Sequence, residues 1–428
     1  MGKSSIPSSV SARFGRPRGL SKTTLSWALY DWANSAFAVV VIAGIFPIFY
    51  RDYWARGLPD DEITLSLGVA NSLSSLLLIV SAPLLGAIAD AVGVRKRLLM
   101  GCAVLSALAT AGFAFVAQGA WVGAAAFYVL GVFLFMLGNV FYDALLVDVT
   151  EPRYFDRVSS LGFALGYLGG GIALAFCAWM IVRAGDFGFS DESGAIRASF
   201  VLVGVWWVVF SVPLLLRVRE RGGVRGGVRA GVGRFLETLR LLRRHPSLAW
   251  FLLAYWLYID GVDTVIRMAA NYGQVLGFGV HDLMAALLLV QFIGFPATLV
   301  YGRLAERFGA RRLIIAGVLV YLVICVWGAL LQTAAGFYAL VVLIGLTQGG
   351  IQAQSRSFYA RLVPPEHSAQ LFGVYNLLGK FAALVGPLIL GVVGSVTGSP
   401  RLGLLSVGVL FIAGLAVLIT RVPRDKVS

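Results

Sequence analysis

Apolar stretches long enough to cross a membrane recur about twelve times along the chain, and they constrain its fold more than any other feature. A helix needs roughly 20 apolar residues to span the core of a bilayer. The stretches lie at 25–50, 64–89, 98–117, 121–144, 158–182, 198–216, 248–272, 283–301, 313–331, 335–354, 371–396 and 402–420. With 59% hydrophobic and 13% charged residues, the chain is too apolar for a soluble domain. The sequence therefore predicts an all-α membrane protein with twelve transmembrane helices.

The basic residues alternate between connectors, which predicts how the chain is oriented. With a cytoplasmic N-terminus, the inside segments hold 28 of the 35 Lys and Arg residues, and the outside connectors hold five. Cytoplasmic loops of membrane proteins carry such an excess of positive charge. We therefore expect a multi-pass protein of the cell (plasma or inner) membrane with both termini in the cytoplasm. The net charge of +14 then follows from topology, and we expect no nucleic-acid partner.

The longest connector, 217–247, divides the apolar stretches six and six. Its first part is rich in Gly and Arg, which is typical of a flexible linker. Its second part, about 233–244, has apolar residues at helical spacing and is expected to lie on the membrane surface. The expected domains are a tail at 1–24, a six-helix bundle at 25–216, the basic linker at 217–247, a second six-helix bundle at 248–420 and a tail at 421–428.

The two halves repeat a loop that combines glycines, one acid and two bases. GAIADAVGVRKRLL (86–99) follows the second stretch, and GRLAERFGARRLI (302–314) follows the eighth. These loops resemble those of the major facilitator superfamily, and the resemblance implies a latch, in which the acid meets a helix N-terminus or a base on a neighbouring helix. A solvated turn is the alternative, but it explains only the bases and not the repeated acid. The predicted gating residues are Gly86, Asp90, Gly93, Arg95 and Lys96 in the first loop, and Gly302, Glu306, Gly309, Arg311 and Arg312 in the second.

Charged side chains inside the predicted helices mark a candidate binding site. Each costs at least roughly 2.5–3.5 kcal/mol near the bilayer centre, so it should face a cavity or a partner. Asp260, Asp263 and Arg267 share one face of the seventh helix at i, i+3 and i+7. The first helix carries a matching pair in YDWANSAF (30–37), and the eleventh carries a lysine. We predict that Asp31, Asn34, Asp260, Asp263, Arg267, Asn376 and Lys380 surround one cavity at the midplane and bind substrate or protons.

Two alternatives to this cavity stay open. Asp263 and Arg267 lie four residues apart and could form an ion pair with each other, or all the charges could neutralise one another in a structural network. Nearer the inner rim, two acids end the fourth helix and two arginines follow the tenth. We interpret Asp143 and Asp148, which Arg153 and Arg157 follow, as salt-bridging residues at that rim. Arg356 and Arg361 are the repeat-related candidates for the same role. Glycines four residues apart at 162, 166 and 170 indicate close helix packing.

Several segments resemble a known transporter family. The twelve stretches, their six-plus-six division and the repeated loop resemble the major facilitator superfamily, whose fold has two six-helix repeats. YDWANSAF (30–37), RVSSLGFALGYLGGG (157–171), LYIDGVDTVIRMA (257–269) and GGIQAQSRSFYARLVP (349–364) are similar to its vacuole-effluxer-like branch, which is related to the autophagy-linked vacuolar amino-acid exporter. The resemblance implies ion-coupled or facilitated transport by alternating access, and it suggests amino acids only by analogy.

We therefore expect a secondary transporter of a small polar or zwitterionic solute, acting as a monomer among membrane lipids, with proton coupling left open. A lipid flippase or multidrug exporter on the same fold is one alternative, and a channel or receptor is another. The sequence shows no nucleophile–base set, and its three histidines are scattered. We expect no enzymatic activity, no cofactor and no metal site.

Overall fold

The computed structural model describes residues 20–220, 238–275, 280–331 and 333–423. Within these ranges, the side chains of 238–239, 267–275, 280–281, 380–384 and 400 lie outside the described part. The predicted tails and most of the linker therefore fall largely outside it. Of the predicted surface helix at 233–244, the structure describes a short helix over Thr238–Arg244.

Twelve long helices fill the described part of the chain, as the apolar stretches predict. Eleven of them are long and apolar enough to cross a membrane. The remaining one, α11, has 30 residues and includes the apolar segment Val385–Thr397. The helices are α1 (Lys22–Trp54), α2 (Asp60–Val92), α3 (Arg95–Phe115), α4 (Trp121–Val149), α5 (Phe155–Val182), α6 (Glu192–Arg217), α7 (Pro246–Val275), α8 (Val280–Phe308), α9 (Ala310–Ala329), α10 (Ala334–Leu362), α11 (Ser368–Thr397) and α12 (Pro400–Thr420).

Local sequence sets where these helices begin, end and change their winding. Ser21 caps α1 by accepting the backbone N–H of Thr24, and Thr333 caps α10 in the same way. Proline-led 3₁₀ turns, Pro152–Tyr154 and Pro365–His367, precede α5 and α11 at matching places in the two halves. Inside α1, Phe37–Ile45 is wound as a π-helix, a form that is rare and often found at functional positions.

The N-terminal half (α1–α6) meets the C-terminal half (α7–α12) along four helix pairs. These are α2 with α11, α5 with α8, α5 with α10, and α4 with α11. Large apolar side chains such as Leu76 and Val80 are exposed on the outer surface, as expected for helices in contact with lipid. We call the side where α2 ends and α3 begins the loop side. It also carries the ends of α4, α8 and α10.

Candidate functional site

A buried arginine on α10, Arg356, joins the two halves near the loop side. Its side chain is only 2% exposed. Nη1 lies 3.4 Å from Oδ2 of Asp31 on α1 and 3.0 Å from Oδ1 of Asp143 on α4. Nε donates to the hydroxyl of Ser159 on α5 at 2.9 Å, and Nη2 donates to the carbonyl of the same residue at 2.9 Å. One guanidinium from the C-terminal half is therefore held by three helices of the N-terminal half.

Aromatic rings enclose this ion cluster. The guanidinium carbon of Arg356 lies 4.2 Å from the ring centroid of Phe163, 4.9 Å from that of Trp27 and 5.3 Å from that of Tyr142. The hydroxyl of Tyr142 also donates to Oδ2 of Asp31 at 2.8 Å. Rings at these distances attract a cation through their π faces. Because the rings keep out water, the charges depend on one another, and removing one partner leaves a buried charge uncompensated.

A glycine makes room for the cluster. A Cβ atom on Gly162 of α5 would lie 2.7 Å from Oδ2 of Asp31 and 2.9 Å from both Nη2 of Arg356 and the hydroxyl of Tyr142. Any side chain at this position would push the charged groups apart. The four-residue glycine pattern of α5 thus brings the helix close to the charges as well as to its neighbours.

The cluster holds two carboxylates and one base. Asn376 on α11 donates to the free oxygen of Asp143 at 2.9 Å, so this carboxylate is bound by two helices of the C-terminal half. Asn34, one turn after Asp31 along α1, donates to the side chain of Asn139 on α4 at 2.8 Å. Asp31, Asn34 and Asn376 from the predicted site therefore lie at or beside the cluster.

The structure gives Asp31 a charged partner that the sequence analysis did not assign to it. Asp31 lies nine residues from the start of α1, or about 14 Å from the loop side, whereas Asp260 lies fourteen residues into α7, or about 21 Å. Among the described side chains, the charged partner of Asp31 is Arg356 of α10. Asp31 therefore belongs to the contact between the two halves.

Asp260 binds the backbone of α11 inside the C-terminal half. Its carboxyl is 1% exposed, and Oδ1 accepts the N–H of Gly386 at 3.0 Å. Asp263, one turn further along α7, is half-buried and has further interactions. The side chains of Arg267 and Lys380 lie outside the described residues, so their predicted place in the cavity stays a prediction.

The first loop, which is predicted to act as a latch, contacts the other half through Asp90. Oδ1 of Asp90, at the end of α2, accepts the N–H of Ala369 at 3.1 Å, and Oδ2 accepts the N–H of Gln370 at 2.9 Å. These N–H groups belong to the first turn of α11, where the helix dipole favours a negative charge. Arg95 holds the carboxylate at 2.8 Å and also binds Asp148 at 2.7 Å.

The two glycines of this loop serve the latch in different ways. A Cβ on Gly86 would lie 2.5 Å from the carbonyl oxygen of Ala369, so only glycine allows α2 to approach α11 this closely. Gly93 ends α2 with φ 76°, a left-handed conformation that residues with a Cβ rarely adopt. This turn places Arg95 under the carboxylate of Asp90.

Lys96 acts within the N-terminal half. Its ammonium group donates to the carbonyl of Leu215 at 3.2 Å and to that of Val218 at 2.9 Å, at the end of α6. Its backbone N–H donates to Glu220 at 3.0 Å. Burial raises the pKa of Glu220 above its usual value, and the bond from Lys96 partly offsets this rise. The second base of the motif therefore fixes the start of the linker and not the interface.

The second loop repeats the sequence of the first but not its latch. Glu306 is exposed, as is Arg312, which corrects the expectation that this acid repeats the contact of Asp90. Arg311 is buried and donates to the carbonyls of Leu418 and Ile419, at the end of α12. These two bonds lie within the C-terminal half.

The glycines of the second loop keep their places. A Cβ on Gly302 would lie 2.7 Å from Cβ of Ser160, so α8 approaches α5 as closely as α2 approaches α11. Gly309 separates α8 from α9 with φ 89°. The close helix contact is therefore shared by the two halves, whereas Glu306 is exposed and Arg311 binds carbonyl groups where Arg95 binds acids.

The structure puts a different acid at the second interface. Asp156, in the first turn of α5, accepts hydrogen bonds from Ser357 and from Arg361 of α10, the latter at 2.5 Å. Since the N-terminus of α5 already carries this carboxylate, a second acid from α8 would be repelled there. The rim arginines Arg356 and Arg361 thus both bind acids of the other half, whereas Asp148 pairs within its own half.

Sequence reasoning missed the uncharged members of the cluster. Trp27 and Tyr142 carry no charge and lie outside the quoted segments, whereas Ser159 and Phe163 lie inside RVSSLGFALGYLGGG (157–171) but carry no charge that would mark them. Tyr142 directly precedes Asp143 and Ser159 lies within the RVSSLG segment, but these positions only weakly indicate a place in the cluster. Together the cluster and the two interface contacts join the halves on the loop side.

Comparisons with known proteins agree with this architecture. The family model for vacuole effluxer Atg22-like proteins matches residues 66–154 and 147–427. An uncharacterised MFS-type transporter of Bacillus subtilis, YxiO, is 36% identical over 404 residues, which are 93% of this chain and 94% of that protein. Autophagy-related protein 22-2 of Aspergillus clavatus is 28% identical over 285 residues, which cover 59% of this chain and 45% of the fungal protein. The matched region thus spans about half the length of this fungal relative.

Solved structures share the fold at low sequence identity. The human organic anion transporter MFSD10 superposes with a TM-score of 0.72 at 16% identity, covering 93% of this chain and 99% of that one. The proton:xylose symporter XylE gives 0.71 at 14% identity, with coverage of 95% and 96%. The predicted fold class is confirmed, and the chain is a multi-pass membrane transporter of the major facilitator superfamily that belongs to the vacuole effluxer Atg22-like family.

Proposed function

We propose that the protein is a secondary active transporter that moves a small zwitterionic solute, with amino acids as the simplest class, by alternating access. The carrying observation is that Arg356 of the C-terminal half is bound to Asp31 and Asp143 of the N-terminal half. Opening the loop side separates the halves along this contact. Transport therefore requires that the ion cluster breaks and forms again in every cycle.

The charges set free by this separation define the solute. An open loop side leaves two carboxylates on the N-terminal half and a guanidinium on the C-terminal half. Buried charges that lose their partners are costly, so the open state needs replacements. An ammonium group suits Asp31 or Asp143, and a carboxylate suits the fork of Arg356 donors. A zwitterion supplies both, which favours it over a neutral sugar or an apolar drug.

The two interface latches fit the same cycle. Asp90 bonded to the start of α11, and Asp156 bonded to Arg361, stabilise only the state that is closed on the loop side. Neither Asp90 nor Asp156 belongs to the ion cluster that is proposed to bind the solute. Their role is to bias the equilibrium between conformations, which changes turnover more than solute affinity.

Reconstitution tests this proposal. The purified protein is reconstituted into liposomes that contain a fluorescent phospholipid in the membrane. The liposomes are loaded with a mixture of amino acids, sugars and lipophilic cations, and the movement of each compound is followed in parallel. We expect exchange of zwitterionic amino acids by the wild-type protein and its loss in Arg356→Gln. Movement of lipid or lipophilic cations alone would instead identify a flippase or drug exporter and contradict the proposal.

The chain offers a matched control for the arginine variant. Arg311 is also buried and in the same half, but it binds carbonyls of α12 within that half. Arg311→Gln should lower stability yet keep exchange per folded molecule. Equal loss of exchange in both variants would show that Arg356 acts only through stability.

A further inference from the structure

The carboxylate of Asp143 is held by two donors of the C-terminal half, one on each oxygen. Nη1 of Arg356 on α10 donates to Oδ1 at 3.0 Å, and Nδ2 of Asn376 on α11 donates to Oδ2 at 2.9 Å. An ionised carboxylate only accepts hydrogen bonds, so the amide of Asn376 faces it with its nitrogen. We call Arg356 and Asn376 the donor pair. Together they bind both oxygens of a single carboxylate.

Contacts within the C-terminal half hold the two members of the donor pair side by side. Tyr359, three residues after Arg356, stacks on Tyr375, the neighbour of Asn376, with ring centroids 4.9 Å apart. The hydroxyl of Tyr359 also donates to the carbonyl of Leu371 on α11 at 2.8 Å. These contacts join α10 to α11 without any group of the other half.

The donor pair therefore stays together when the halves separate, whereas Asp143 leaves with α4. Asn376 also donates to the carbonyl of Phe372, one turn earlier on α11, at 3.1 Å. This bond keeps its amide against its own helix. Opening the loop side thus leaves, on the C-terminal half, two adjacent donors that had bound a carboxylate and have lost it.

We propose that the carboxylate of the solute takes the place of Asp143 on the donor pair when the loop side opens. Asn376 is then a second ligand of the solute beside Arg356, and Asp143 displaces the solute when the loop side closes again. Because one carboxylate replaces another, both donors keep an acceptor and the buried charge keeps a partner. The inference rests on the proposed function and assigns the atoms that recognise one end of the solute.

This exchange of carboxylates makes the solute a ligand of one conformation. The donor pair is occupied by Asp143 in the closed state, so a solute carboxylate binds it only in the open state and shifts the population towards that state. The methyl ester of the same amino acid carries no charge on its carboxyl group. It should therefore open the loop side far less well than the amino acid does.

Spin labels measure both the opening and the affinity in one titration. The labels are attached through Arg153→Cys and Arg307→Cys, two exposed positions on the loop side of opposite halves. In liposomes, the protein is titrated with an amino acid that the wild type exchanges. The midpoint multiplied by the open fraction without solute gives the dissociation constant of the open state, which corrects for any change in the conformational equilibrium. We expect Asn376→Ala to raise this constant by about tenfold or more, since a hydrogen bond to a charged group is lost.

Asn71 on α2 offers a matched control. Like Asn376, it donates to the carbonyl one turn earlier on its own helix, that of Leu67, but its other bond comes from Tyr128 within the N-terminal half. Asn71→Ala should leave the dissociation constant of the open state unchanged. Asn376→Ser keeps a shorter donor, and its constant should lie between those of the wild type and Asn376→Ala.

The outcomes separate this inference from the proposed function. An unchanged dissociation constant in Asn376→Ala, with amino-acid exchange intact, would overturn the exchange of carboxylates and leave the transporter proposal standing. Equal opening by the amino acid and its methyl ester would overturn it as well. If the wild type exchanges no amino acid, the proposed function is wrong, and this inference is wrong with it.

Discussion

Replacing Asp90 by asparagine should shift the protein towards the state that is open on the loop side. In the closed state the carboxylate accepts two backbone N–H groups of α11 and is held by Arg95. Asparagine keeps one acceptor oxygen but loses the second and the negative charge. A hydrogen bond to a charged group contributes about 1.5–3 kcal/mol, so we expect a loss of about 2 kcal/mol from the closed state. This corresponds to a roughly 30-fold shift in the equilibrium.

Distances between spin labels measure this shift directly. Labels on cysteines at Arg153 and Arg307, which are exposed on the loop side of opposite halves, report how far the halves separate. The native cysteines are buried, which limits their labelling. Asp90→Asn should add a population at longer distance and lower turnover, with little change in solute affinity. Glu306→Gln is the matched control, since Glu306 is exposed. Identical distance distributions in wild type and Asp90→Asn would refute the latch.

Two further predictions concern contacts between the halves, and a third concerns the orientation of the chain. Gly162→Ala should separate Asp31 from Arg356 and lower the free energy of unfolding by about 1–3 kcal/mol, as overpacking does, which thermal denaturation in detergent will show. Arg361→Gln should open the loop side less than the latch variant does, since a partly exposed ion pair contributes about 1 kcal/mol or less, and label distances will compare the two. Cysteines placed in 217–247 should resist an impermeant thiol reagent in intact cells, and labelling from outside would reverse the topology.

The fold could be predicted from the sequence because a chain that crosses a lipid bilayer can adopt few backbone structures. A spanning segment must satisfy its own backbone hydrogen bonds, so an apolar stretch of sufficient length predicts a helix with little ambiguity. The boundaries of α4 and α12 lie within a few residues of the predicted 121–144 and 402–420. The π-helical winding inside α1 gave no such signal, because its residues are ordinary apolar ones.

The sequence could predict which residues belong to the site, but only partly which residues they contact. Spacing along one helix identifies residues on a common face, but it does not say which helix lies opposite. Asp31 was therefore expected to face α7, although its base comes from α10. The repeated loop misled in a similar way. Glu306 copies Asp90, but the helix start it would meet carries Asp156 where α11 carries Ala369.

Competition of exchange by solutes that differ in one charge tests the central claim most directly. The claim is that a solute's ammonium and carboxylate replace the contacts that Arg356 loses with Asp31 and Asp143 when the loop side opens. In liposomes, an amino acid that is exchanged is challenged with its methyl ester, which lacks the carboxylate, and with its deaminated acid, which lacks the ammonium. We predict that only the intact zwitterion competes. Equal competition by either analogue, or by an uncharged sugar, would contradict the account.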